Sequence, residues 1–66
     1  MLSARNQFAG TIKSVTLGNV MAEVVVSVGS IEIVSAITRA SAEGMKLQVG
    51  DKVKAIIKST EVIIDK

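Results

Sequence analysis

The chain has 66 residues, 48% of them hydrophobic, and a net charge of +2 from eight basic and six acidic side chains. One domain spanning residues 1–66 is the most this length can form, and a domain so small buries only about 60% of its unfolded surface. It has no Cys and no His, which excludes disulfides, thiolate metal sites, Ser-His-Asp and Cys-His nucleophiles and a proton shuttle near neutral pH.

The core must be aliphatic, since Phe8 is the one aromatic residue. Basic residues are scattered, so charge alone does not call for nucleic acid. No apolar run nears the roughly 20 residues of a membrane span, and no segment has the layout of a signal peptide. The expected setting is the cytoplasm, with no membrane partner.

Alternation predicts a first strand over 8–17, with Phe8 and Ile12 on one face and Thr11 and Lys13 on the other. Gly10 marks a bulge or a close backbone approach. Leu17-Gly18-Asn19-Val20 reads as a turn in which Gly and Asn tolerate positive φ. The second strand, 20–28, turns Ala22, Val24, Val26 and Val28 inward. Gly29-Ser30 leads into a third strand, 31–37, with Ile31, Ile33 and Ile37 inward. Thr38 is an N-cap for one or two helical turns that Gly44 ends. After a turn at Val49-Gly50-Asp51-Lys52, a fourth strand, 53–58, turns Val53, Ala55 and Ile57 inward. A fifth, 61–65, carries Val62 and Ile64. The expectation is an all-β fold, a five-stranded OB-like barrel with one short helix between strands 3 and 4; an SH3-like barrel competes.

The opposite faces are apolar too. Met21, Val25, Val34, Ala36, Ile56 and Ile63 alternate along positions that a monomeric barrel would leave wet. Such a patch predicts burial against other copies of the chain, with strand edges pairing across the interface. The competing reading is a sandwich that covers both faces within one chain.

Little catalytic chemistry is available. Glu61 and Asp65 are the one close carboxylate pair and read as solvated charge at a terminus. Lys58 and Ser59, adjacent on a strand, point to opposite faces and do not form a dyad. No GxGxxG or Walker sequence is present. An oxyanion site needs only N–H groups, hydroxyls and one or two cations partly shielded from water. Ser3-Ala4-Arg5-Asn6 supplies such donors at one end of the chain and Lys58-Ser59-Thr60 at the other. The same segments also read as a solvated terminus and a β-turn, and composition leaves both readings open.

Ser3-Ala4-Arg5-Asn6-Gln7-Phe8-Ala9-Gly10 resembles the opening of the molbindins, the small Mop-type molybdate-binding proteins of the TOBE/Mop group. The similarity continues at Gly18-Asn19-Val20-Met21-Ala22-Glu23-Val24, at Ile37-Thr38 with Ser41, at Val49-Gly50 and at Lys58-Ser59-Thr60-Glu61-Val62. It covers essentially the whole chain. The resemblance implies an OB-like fold assembled as a homo-hexamer, a trimer of dimers. It implies molybdate or tungstate held at subunit interfaces by hydrogen bonds, with no directly coordinated metal and no cofactor. One class of site would use Ser3, Ala4 and Arg5 of one subunit, with Asn6 in the motif, and Lys58 and Ser59 of another. A second, near a threefold axis, would use Asn19, Val20, Met21 and Ala22, with Ser41. Met21 is bulkier there than the small or polar residue the resemblance implies.

The expected function is therefore non-enzymatic oxyanion binding for intracellular molybdenum storage or homeostasis. The alternative is an OB-like nucleic-acid-binding module, disfavoured by a lone aromatic and no basic groove. A third reading, a molybdate-sensing domain of a larger transporter or regulator, yields to a stand-alone protein because the chain begins at Met1.

Overall fold

β-Branched residues recur through the three longest alternating runs, and each of these is a strand. The structure, a computed structural model, describes residues 4–66. Strands β1 (Asn6–Leu17), β2 (Met21–Val28) and β3 (Ile31–Thr38) lead into helix α1 (Arg39–Gly44), strand β4 (Lys52–Ile57) and a 3₁₀ turn (Ser59–Glu61). They form one antiparallel sheet in the order β3-β2-β1-β4. The fold is all-β and OB-like with one short helix.

β1 is shared between two partners, and that curls the sheet. Its first half, Asn6 to Thr11, pairs with β4, and Thr11 to Leu17 pairs with β2. Two devices permit the bend. Gly10 passes so close to β2 that a Cβ would lie 2.5 Å from the Ser27 carbonyl oxygen. The register then slips between Ile12 and Ser14, leaving Lys13 as a bulge. The bulge also changes parity. Ile12 faces inward, and so does Val15 three residues later, opposite Val24. Strict alternation would have put the polar Ser14 there.

The core is small: Ile12, only 1% exposed, with Val24 and Val26, packed by Val15, Val28, Ile37, Leu47 and Val53. Ala22 and Ala42 are also buried. Thr38 caps α1 as expected, its Oγ1 accepting from the Ser41 N–H at 3.1 Å. The helix seats Ala42 and is followed by Leu47, whose N–H donates to the Ala42 carbonyl at 3.2 Å.

Several expectations need correction. The barrel is neither five-stranded nor closed. Residues 61–65 are not a strand: Glu61 ends the 3₁₀ turn, and residues 62–66 carry no regular structure. A strand needs an edge to pair with, and in this chain the tail lies on none; Ile63 and Ile64 are 91% and 85% exposed. Ile31 has the inward parity of Ile33 and Ile37 but is exposed, because it opens β3 at the end of the sheet beyond the core. Phe8 likewise keeps the parity of Ile12 but is only partly covered. Neither Gly18 nor Asn19 has positive φ; after α1 it is Lys46 that does, at 54°. The 18–20 connection is closed instead by the Gly18 N–H donating to the Met21 carbonyl at 2.7 Å. A side chain on Gly18 would meet that same oxygen at 2.9 Å.

The second apolar face is present. Met21, Val34, Ala36 and Ile56 are exposed, and Val25 is half-buried. Among the described residues no helix is long and apolar enough to cross a membrane.

Candidate oxyanion site

Sheet register brings the two donor segments together. Asn6, the first residue of β1, pairs with Ile57, the last of β4. The chain just before Asn6 and just after Ile57 therefore meets at one end of the sheet. Ala4 and Lys58 border the same groove, which Glu61 also lines.

The residues there divide by what they do. Asn6 is half-buried, and its Nδ2 donates to the Ile57 carbonyl at 3.2 Å. This bond fastens β1 to β4, so Asn6 acts on the geometry of the segment that carries Arg5. Gln7 Nε2 donates to the Ala4 carbonyl at 2.7 Å and folds the entry segment back on the strand. Arg5, Lys58 and Ser59 are exposed. Among the described residues the ion pairs are Lys13–Glu32 and Arg39–Glu43, so Arg5 and Lys58 are both unpaired cations. In the 3₁₀ turn the Glu61 N–H donates to the Lys58 carbonyl at 2.9 Å. The first N–H groups of such a turn have no partner inside it. Ser3 lies outside the described residues.

Two cations and a hydroxyl sit at one sheet end, in open solvent. There an ion pair is worth only about 0–1 kcal/mol. Useful affinity needs a cover that excludes water.

The second group also converges. Met21 pairs with Thr38, and the Arg39 N–H donates to the Val20 carbonyl at 2.7 Å. Ser41 joins through Thr38, whose hydroxyl donates to Ser41 Oγ at 2.7 Å. Asn19, Val20 and Met21 are exposed, whereas the Ala22 side chain is buried in the core and offers wall, not a donor. Sequence reasoning passed over Arg39. Its Nη1 donates to the Gly18 carbonyl at 3.3 Å and its Nε to Glu43 Oε1 at 3.3 Å, so it ties the 18–20 connection to α1. The signal was available: a long cation directly after the N-cap, opposite a short turn with a free carbonyl.

Comparison with known proteins gives the family and the fold. The TOBE domain model matches residues 2–64. The molybdenum transport protein ModE of Herbaspirillum seropedicae is 43% identical over 63 residues, which are 94% of this chain but 23% of that protein. The chain thus spans less than a quarter of that relative's length. Molybdenum-pterin-binding protein 3 of Clostridium pasteurianum is 41% identical over 64 residues, 96% of this chain and 94% of that protein. A solved molybdate binding protein from Sporomusa ovata matches with a TM-score of 0.95 at 39% identity, covering 100% of this chain and 98% of that one.

Proposed function

We propose a function that proceeds from one premise: the chain belongs to the TOBE domain family. It binds molybdate, or its analogue tungstate, as a single Mop/OB-like unit, without catalysis, for molybdenum storage or homeostasis in the cytoplasm. The observation that carries this is the convergence of Arg5 with Lys58 and Ser59 at one sheet end, in a chain whose full-length structural match is a molybdate binding protein.

The chemistry follows from the donors. Molybdate is a tetrahedral dianion with four acceptor oxygens. Arg5 offers a planar fork of N–H groups, Lys58 a compact charge, and Ala4 and Ser59 main-chain and hydroxyl donors. Ser3 joins them by position in the motif. Because each chain exposes these groups, the site is completed by a second copy, with Ala4 and Arg5 from one subunit and Lys58 and Ser59 from another. Asn19, Val20, Met21 and Ser41, with Ala22 as wall, form the second class of site where copies meet. Sharing donors between chains makes binding stabilise the assembly, a homo-hexamer built as a trimer of dimers. The exposed face of Met21, Val34, Ala36 and Ile56 supports that assembly. Discrimination against sulfate, also a tetrahedral dianion, comes from cavity size and donor spacing.

The relative's name mentions a pterin, but Phe8 is the only aromatic on which one could stack, so the bare oxyanion is the better ligand. The same scarcity of aromatic surface argues against nucleic acid. A second reading is favoured by the length of the ModE relative: the same fold as the molybdate-sensing unit of a longer polypeptide. The mass of the endogenous protein separates the two, since this chain alone is 6.9 kDa. Native mass spectrometry with and without molybdate tests the main proposal. A hexamer that gains several molybdates supports it; a monomer that gains none overturns it.

A further inference from the structure

The charges of the sheet are sorted by strand. β2 and β3 carry Glu23 and Glu32 and no cation, whereas β4 carries Lys52 and Lys54 and no acid. Among the described residues the ion pairs engage Lys13 and Arg39, so Lys52, Lys54 and Lys58 are all unpaired. The acids nearest in sequence do not neutralise them. Asp51 is half-buried, and its Oδ2 accepts from the Gln48 N–H at 2.9 Å. Glu61, beyond Lys58, is in no ion pair among the described residues.

Strand geometry aligns these lysines. β4 has β1 as its one neighbour, so it is an edge. Lys52 and Lys54 are exposed, while Val53 and Ala55 are half-buried on the opposite face. Lys58 follows in extended backbone, with φ −62° and ψ 135°, and is exposed in the same alternation. The strand rise puts Lys54 about 13 Å and Lys52 about 20 Å from Lys58 along the backbone. Across on β1 the partners of Lys52 and Lys54 are Thr11 and Ala9, short and uncharged. Edge lysines also discourage strand addition. The other edge, β3, has no cation and exposes Ile31 and Val34, so edge protection does not by itself account for the row.

We propose that Lys52 and Lys54 form a collecting row, which draws tetrahedral dianions along β4 toward Arg5 and Lys58 without touching the bound ion. The inference rests on the oxyanion reading above and adds residues outside its contact set. Unpaired like charges in line raise the potential along the edge, and a dianion responds to it twice as strongly as a monoanion. The row acts on charge alone, so it concentrates molybdate and sulfate equally and leaves selection to the cavity. Lysine stems lie along apolar surface while their ammonium groups stay in water, so a further copy packed over Ile56 leaves the row solvated.

Salt dependence separates this action at a distance from contact. The screening length is about 30 Å at 0.01 M salt and about 3 Å at 1 M, which brackets the spacing of the row from Lys58. Molybdate calorimetry on the full chain is the test. Lys52→Gln/Lys54→Gln should weaken binding about three- to tenfold at the low salt and match the wild type at the high salt. Lys52→Glu/Lys54→Glu should weaken it further at low salt; if that variant does not fold, the Gln pair carries the test. Lys46→Gln/Lys66→Gln removes the same two charges away from β4 and should stay near the wild type. Unchanged affinity in the row variants at low salt overturns the proposal. So does an equal loss in the Lys46/Lys66 control, or a loss that persists undiminished at 1 M salt. Wild-type binding with unaffected row variants refutes the row alone, whereas a wild-type chain that takes up no molybdate refutes the oxyanion reading with it.

Discussion

A methyl group on Gly10 would sit 2.5 Å from the Ser27 carbonyl oxygen and 2.8 Å from the Val26 and Val28 side chains. Backbone cannot yield there as a flexible side chain would. Gly10→Ala should therefore cost about 1–3 kcal/mol, the usual scale for overpacking, read as a lower urea midpoint. At the anion site, residues differ by what they already hold. Among the described residues Arg5 and Lys58 make no ion pair, so Arg5→Ala or Lys58→Ala should leave the melting temperature near its original value. Each should weaken molybdate binding about tenfold or more, the scale of a hydrogen bond to a charged group. Calorimetry showing unchanged affinity in both would refute the assignment. Asn6→Ala should behave the other way, losing about 0.5–1.5 kcal/mol of stability with its bond to Ile57, whether or not ligand is present.

Strands β1 to β3 and helix α1 were legible in the sequence because β-branched alternation and an N-cap threonine are local signals. Thr38→Ala should destabilise the fold by about 1 kcal/mol in a thermal melt, through loss of the bond from the Ser41 N–H. The bulge at Lys13 was not legible as such. Gly10 announced a close approach, but the slip falls three residues later, where the strand changes partners from β4 to β2. The tail was misread for a complementary reason. Val62 and Ile64 have strand chemistry, yet a strand is a property of a pair, and this chain offers the tail no edge that its own turn lets it reach.

For the molecule as a whole, the proposed assembly would cover both the exposed apolar faces and the exposed donors with further copies of the chain. Removing residues 1–6 should abolish molybdate binding while native mass spectrometry still finds oligomers, because the apolar faces remain. Loss of the oligomer with retained binding on the residual monomer would reverse that ordering. The candidate site was legible as two donor segments 52 positions apart at their nearest, Asn6 to Lys58; no local signal says that they adjoin. The pairing of Asn6 with Ile57 supplies that fact.

By itself the sequence determined the chemistry: an aliphatic β protein without thiols or imidazoles, with an arginine and a lysine among small donors at its two ends. Composition and alternation are local, so they survive without a fold. Tertiary structure decided which edges stay open, that Arg39 ties the 18–20 connection to α1, and that the two donor segments share one sheet end. Those outcomes depend on register and strand order, which are set by long-range pairing of the curled β1 with β2 on one side and β4 on the other.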